Sequence, residues 1–232
     1  MSGRSPKAGR QRDESEAGAS TSKRRDLRTY WPVLAVLVIG GFALFQYSGR
    51  KHAGSSGPTA GSGAYSYVVG RPGVGQPAPA VKLPGTAGGD FSLASYRGKQ
   101  QVLLYFQEGL TCQPCWDQIS VIQKDRAKFA TLGIGPIVSI TTDPLNLISQ
   151  KASDSGLTIP VLADEGGTVS DTYDARNYGM MGHSRDGHTF VLVGKDGRIR
   201  WRADYGGEPK YTMFVPDDEL LSQLRRAVGK AQ

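Results

Sequence analysis

The sequence predicts an α/β fold, a sheet with helices packed against it, and three observations carry that expectation. The run Gln101-Val102-Leu103-Leu104-Tyr105-Phe106 is apolar almost throughout and ends in a polar turn, as a buried strand does. The segment after it places Trp116, Ile119, Ile122, Phe129 and Leu132 near three- and four-residue intervals, the period of a helix face. Further strand-like and helix-like segments then alternate to the C-terminus, which is the pattern of layered α/β domains.

In chain order, the folded part is expected to begin near Val68–Val74. Gly75-Gln76-Pro77-Ala78-Pro79 reads as extended, because proline restrains its predecessor as well as itself. Val81 and Leu83 suggest a short strand, Gly88-Gly89-Asp90 a turn, and Phe91-Ser92-Leu93 a second short strand. After the 101–106 strand and its helix, Gly133-Ile134-Gly135 ends the helix and Pro136 to Thr141 forms a second core strand. A helix is expected from Pro144 to Ser155 and an extended segment from Ile159 to Asp164. A second helix should run from Gly167 to Asn177. His188 to Val193 and Arg198 to Arg202 make a hairpin around Gly194-Lys195-Asp196-Gly197. Pro216 to Val228 is an amphipathic helix, with Leu220, Leu221, Leu224 and Val228 apolar.

The N-terminal third has another character. The net charge of +7 is uneven: residues 1–50 carry nine Lys/Arg against four Asp/Glu, and the remainder 19 against 17. The basic excess belongs to the tail, which argues against a nucleic-acid-binding core. Residues 1–29, poor in large apolar groups, are expected to form a disordered tail. From Tyr30 through Gly49 there is no charge, and Trp31 to Phe45 is largely apolar, so residues 30–48 are expected to span a membrane. Trp31 and Tyr47 fall where interfacial aromatics belong, and the basic side places the N-terminus in the cytoplasm. A cleaved signal peptide is the competing reading; the long basic region and the lack of a small-x-small site directly after the run oppose it. Residues 49–70, rich in Gly and Ser, read as a flexible linker, and 71–232 as the folded, extracytoplasmic domain.

The chemistry concentrates at Cys112-Gln113-Pro114-Cys115, the only cysteines in the chain. A C-x-x-C where a strand feeds a helix exposes a thiol to the unpaired N–H groups and dipole of the helix start, which stabilise a thiolate. Pro114 suits the first turn. Cys112 is expected to be the exposed attacking thiol and Cys115 the buried resolving thiol. A zinc half-site would need further ligands, and the histidines are only His52, His183 and His188. A structural disulfide closing so short a loop would add little stability. Glu108, four residues before Cys112, reads either as a buried proton acceptor for Cys115 or as an exposed turn residue. Trp116 reads as core, and Trp201, Tyr205, Tyr211, Met213 and Phe214 as core or as an apolar partner surface.

Together, Gly75-Gln76-Pro77-Ala78-Pro79, Phe91-Ser92-Leu93 with Tyr96-Arg97-Gly98-Lys99, Val102 to Phe106, the C-x-x-C, and Thr189 to Ile199 resemble the thioredoxin-fold redoxins. That superfamily includes the alkyl hydroperoxide reductase/thiol-specific antioxidant proteins and membrane-tethered thiol-disulfide oxidoreductases. The resemblance covers about residues 70–228. It implies a thioredoxin-like central mixed sheet flanked by helices, with the cysteines at the strand-to-helix junction. It also implies a thiol-disulfide oxidoreductase acting on protein thiols or disulfides with a reducing or oxidising partner, and needing no cofactor. A thiol peroxidase reducing hydroperoxides is the alternative; it needs a cation near the thiolate, for which Arg176 and Arg185 are candidates. A third possibility is a copper chaperone pairing the cysteines with His183 or His188. The chain departs from these patterns in three places. Thr111, not Trp, precedes the first cysteine, and no proline occurs in Ser184 to His188 before the late strand. The peroxiredoxin pattern P-x-x-x-T-x-x-C meets Glu108 and Cys112, or Tyr105 and Gly109, in place of Pro and Thr.

Overall fold

In the computed structural model, residues 63–229 are described. The expected tail over 1–29, span over 30–48 and most of the linker lie outside them. Among the described residues no helix is long and apolar enough to cross a membrane.

The strands are β1 (Lys82–Pro84), β2 (Asp90–Ser92), β3 (Gln101–Phe106), β4 (Ile134–Thr141), β5 (Val161–Ala163), β6 (Thr189–Val193) and β7 (Ile199–Asp204). The helices are α1 (Gln113–Lys124), α2 (Arg126–Ala130), α3 (Leu145–Asp154), α4 (Thr168–Thr172) and α5 (Asp217–Gly229). β1 and β2 form a small antiparallel pair. The other five make one mixed sheet in the order β5-β4-β3-β6-β7. β3, β4 and β5 run parallel, and β6 and β7 are antiparallel additions.

β3 is central and covered on both faces, which explains its nearly unbroken apolar run. Leu103 and Tyr105 pack with Trp116, Ile119 and Ile122 of α1 and with Leu220, Leu221 and Leu224 of α5. Val102, Leu104 and Phe106 point the other way, toward Val81, Leu83, Val169 and Tyr173. β4 begins two residues earlier than Pro136. The register shifts between the Gln101–Ile134 and Leu103–Ile137 pairs, so Gly135 and Pro136 occupy an irregularity where a missing N–H is tolerated.

Two helices expected to be single are divided. The apolar period from Trp116 to Leu132 is shared by α1 and α2, which break at Asp125, yet Phe129 still reaches the core. The helix expected over 167–177 ends at Thr172 and resumes as a 3-10 turn at Ala175–Asn177, because Asp174 takes a left-handed conformation with φ 54°. Residues 63–70, expected to belong to the linker, make specific contacts with the domain. Val68 bridges to Asp204, Gln223 donates to the Tyr65 carbonyl, and Trp201 Nε1 donates to the Tyr67 hydroxyl at 3.1 Å. Gly70 N donates to Asp204, whose carboxylate also pairs with fully buried Arg202, so this segment is packed against the β7 edge.

Candidate active site

β3 ends in Phe106, and the next five residues carry the chain to Cys112, the N-cap of α1. Cys112 and Cys115 are joined as a disulfide with Cα atoms 5.3 Å apart. Cys112 Sγ accepts from the Cys115 N–H at 3.3 Å, so a sulfur occupies the capping position normally held by an oxygen. Pro114 lies in the first turn, as expected. Cys115 is fully buried. Cys112, expected to be exposed, retains only 7% of its surface. Met213 packs with the two cysteines as a separate apolar cluster.

The loop leading into the cysteines is fixed mainly by polar contacts. Gly109 has φ 91°, and a Cβ there would lie 1.7 Å from Asp143 Oδ2 and 2.6 Å from Thr141 Oγ1, so only glycine fits. Its carbonyl accepts from Cys112 N and from Trp116 Nε1, each at 3.0 Å. Trp116 is thereby core and brace at once, at 1% exposure. Gly109 N donates to Gln107 Oε1, and Leu110 N donates to Asp143 Oδ2 at 2.7 Å. Asp143, just beyond β4, is buried and ion-paired to Arg185, which also reaches the Glu108 carbonyl. This Asp143–Arg185 clamp is absent from the sequence-based expectations.

Glu108 is buried, as one of its two readings required, and its Oε1 accepts from Met180 N at 2.5 Å. It therefore fastens the 178–188 segment to the end of β3. Arg185 is engaged by Asp143, and Arg176 pairs with Asp171. His188 is fully buried, with Nδ1 2.9 Å from the Tyr105 hydroxyl, and burial lowers its pKa to about 3. His183 lies by Asp171, Asp174, Arg176 and Asn177. Among the described residues no group of three His, Cys, Asp or Glu side chains is placed to hold a metal ion, so neither histidine completes the copper set with the cysteines. Near the start of α1, Lys151 Nζ donates to Gln113 Oε1 and lies 5.8 Å from the Trp116 ring centre, a cation that sequence reading did not single out.

The segment before β6 holds a second buried polar group. Ser170 Oγ lies 2.7 Å from Asp164 Oδ2 and 3.0 Å from Asp186 Oδ2. One hydroxyl proton cannot serve both acceptors well. Burial, partly offset by the Ser170 hydrogen bond, pushes Asp186 up to about 8. No proline faces the cysteines here. Gly187 instead lets the chain cross closely: a Cβ there would sit 1.6 Å from the Tyr178 carbonyl, which accepts from His188 N.

The cysteine turn, the central strands that support it and most of the late hairpin lie within residues 74–202, which match the AhpC/TSA family. The chain belongs to the AhpC/TSA family. It is a thiol oxidoreductase of the redoxin superfamily. A candidate peroxiredoxin of Mycobacterium tuberculosis, found in two strains, is 34% identical over 131 residues, 54% of this chain and 80% of the relative. In fold, the chain is similar to the peroxidoxin BcpB of M. tuberculosis, with TM-score 0.56, 20% identity, and coverage of 66% of this chain and 96% of that one. It is also similar to a candidate protein disulfide isomerase of Bacteroides thetaiotaomicron, with TM-score 0.50, 22% identity, and coverage of 69% and 89%. These structural likenesses establish the thioredoxin-like mixed sheet with flanking helices.

Proposed function

We propose that this chain is a membrane-anchored thiol-disulfide oxidoreductase whose redox domain works outside the cytoplasm. The observation that carries the redox part is the Cys112–Cys115 disulfide at the N-cap of α1. In the reducing direction, the Cys112 thiolate attacks a partner disulfide and releases one partner thiolate. Cys115 then attacks Cys112 Sγ, the mixed disulfide breaks, and the second partner thiolate leaves. The partner gains two electrons and the pair becomes the internal disulfide; the reverse sequence oxidises a partner dithiol. Glu108 is assigned as the acceptor of the Cys115 thiol proton during resolution. Glu108→Gln then slows the second step and shifts its pH profile while the first step keeps its rate. The anchor rests on the uncharged run over 30–48 and the basic tail before it.

Hydroperoxide reduction is the second reading, favoured by the similarity to a candidate peroxiredoxin. Against it stand the missing Pro and Thr of the peroxiredoxin pattern and the engagement of Arg176 and Arg185 with carboxylates. Disulfide exchange and hydrogen peroxide consumption, measured side by side on the full chain in detergent micelles, separate the two. Exchange without sustained peroxide turnover is expected; rapid turnover of peroxide overturns the assignment.

A further inference from the structure

We infer that Met213 is a specificity-determining gate, a side chain that must swing aside before any partner sulfur reaches Cys112. This rests on the disulfide-exchange reading and adds a condition to it. Cys112, Cys115 and Met213 are 7%, 0% and 9% exposed and form a cluster distinct from the two faces of the main core. In-line attack on the disulfide needs an open approach to a sulfur atom, and so little exposure leaves Cys112 without one.

The backbone holding Met213 is built to present it there. The segment from Tyr205 to Pro216 joins β7 to α5 without regular structure, apart from turns. Thr212 N donates to the Tyr205 carbonyl at 3.0 Å, and Val215 N donates at 2.7 Å to Gln118 Oε1, a buried side chain of the helix that begins at the cysteines. Between these two pins, Met213 and Phe214 make no hydrogen bond among the described residues. Tyr211, immediately before the first pin, takes φ 47°, which a side chain other than glycine adopts only at a cost. The strap is therefore hydrogen-bonded at both ends and not in between, and Met213 in that stretch packs in one apolar cluster with Cys112 and Cys115. Methionine is unbranched and flexible, so it can cover the sulfurs and still move without dismantling the strap.

An incoming thiolate attacks Cys112 Sγ, forms the mixed disulfide and expels Cys115 as a thiolate; a second thiolate attacks the bridging partner sulfur and frees Cys112. Both directions pass the same side chain, so the gate governs rates and leaves the equilibrium unchanged. A bulky thiol must displace Met213 further than a small one. Met213 thus sets the size of acceptable partners, favouring those with an apolar segment able to replace its contact with the sulfurs.

The test uses the oxidised full chain in micelles and its Met213→Ala and Met213→Leu variants. Reduction of the disulfide by β-mercaptoethanol and by glutathione is followed by acid quench, alkylation and mass measurement. Met213→Ala is expected to speed the glutathione reaction roughly tenfold and the β-mercaptoethanol reaction less, with Met213→Leu close to wild type and the reduction potential unmoved. Identical rates in all three proteins overturn the gate while leaving the redox reading intact. A change in potential that accounts for the whole rate change also overturns it. A disulfide that fails to exchange with either thiol in every variant refutes the redox reading itself.

Discussion

Two segments border the Cys112–Cys115 pair, and they are held by opposite kinds of force. The loop from Gln107 to Thr111 is bound by polar contacts: Gly109 is hemmed in by Asp143, Leu110 N donates to the same carboxylate, and Arg185 closes the pair from the far side. The strap meets the two cysteines through Met213, in an apolar cluster. Directional bonds among buried groups fix a position, since each broken partner leaves an unsatisfied polar atom. A thioether held by dispersion can leave and return at small cost. The site therefore combines a rigid floor, which sets the geometry of the helix start, with a movable cover.

The largest expected effect comes from the sulfurs themselves. Cys112→Ser should cut exchange by at least about a thousandfold, while Cys115→Ser should accumulate mixed disulfide with the partner, both visible by non-reducing mass analysis. The floor is tested next. Gly109→Ala should cost about 2–4 kcal/mol by denaturant unfolding and slow exchange, because the new methyl collides with Asp143 and the residue must keep φ 91°. Asp143→Ala should cost about 2–3 kcal/mol, since it strips Leu110 N and Arg185 of a partner, and in a double-mutant cycle it should couple strongly to Arg185→Ala. A Gly109→Ala protein as stable and active as wild type would remove the distinction between floor and cover.

A smaller effect depends on pH. Asp186 keeps its proton to about 8 in the folded chain, whereas an unfolded Asp releases it near ~4. The folded state then binds more protons in between, so this group's contribution falls as pH rises across that window, by at most about 5 kcal/mol. Asp164 and Asp171 add to the cost of ionising it, while Ser170 and Arg176 reduce that cost. His188 acts in the other direction: the unfolded ring protonates below about 6.5 and the buried ring resists to about 3, so stability is lost as pH falls through that range. Asp186→Asn should remove the Asp186-linked decline of melting temperature across about pH 4 to 8 and leave the slope below about pH 4 unchanged.

Much of the scaffold was legible in the chain because it rests on local pattern. The β3 run, the helical period after it and the turn around Lys195-Asp196-Gly197 are each contiguous signals, and the C-x-x-C marks its own place. The break at Asp125 leaves no trace in the hydrophobic period, since Ile122 before it and Phe129 after it both reach the core. The division at Asp174 came from a single left-handed residue, which composition does not reveal. The clamp was illegible for a different reason. Asp143 and Arg185 stand 42 residues apart and meet only when β4 and the segment before β6 flank β3. In the sequence Met213 is one of several apolar residues near the C-terminus, and its place beside the cysteines depends on the strap's two pins.

The most direct measurement is titration of the full chain against a graded thiol-disulfide buffer, with acid trapping and mass analysis of Cys112 and Cys115. A single reversible two-electron transition, with the internal disulfide present at the oxidising end and absent from either serine variant, is the expected result. Two cysteines that never join to each other at any poise of the buffer contradict it.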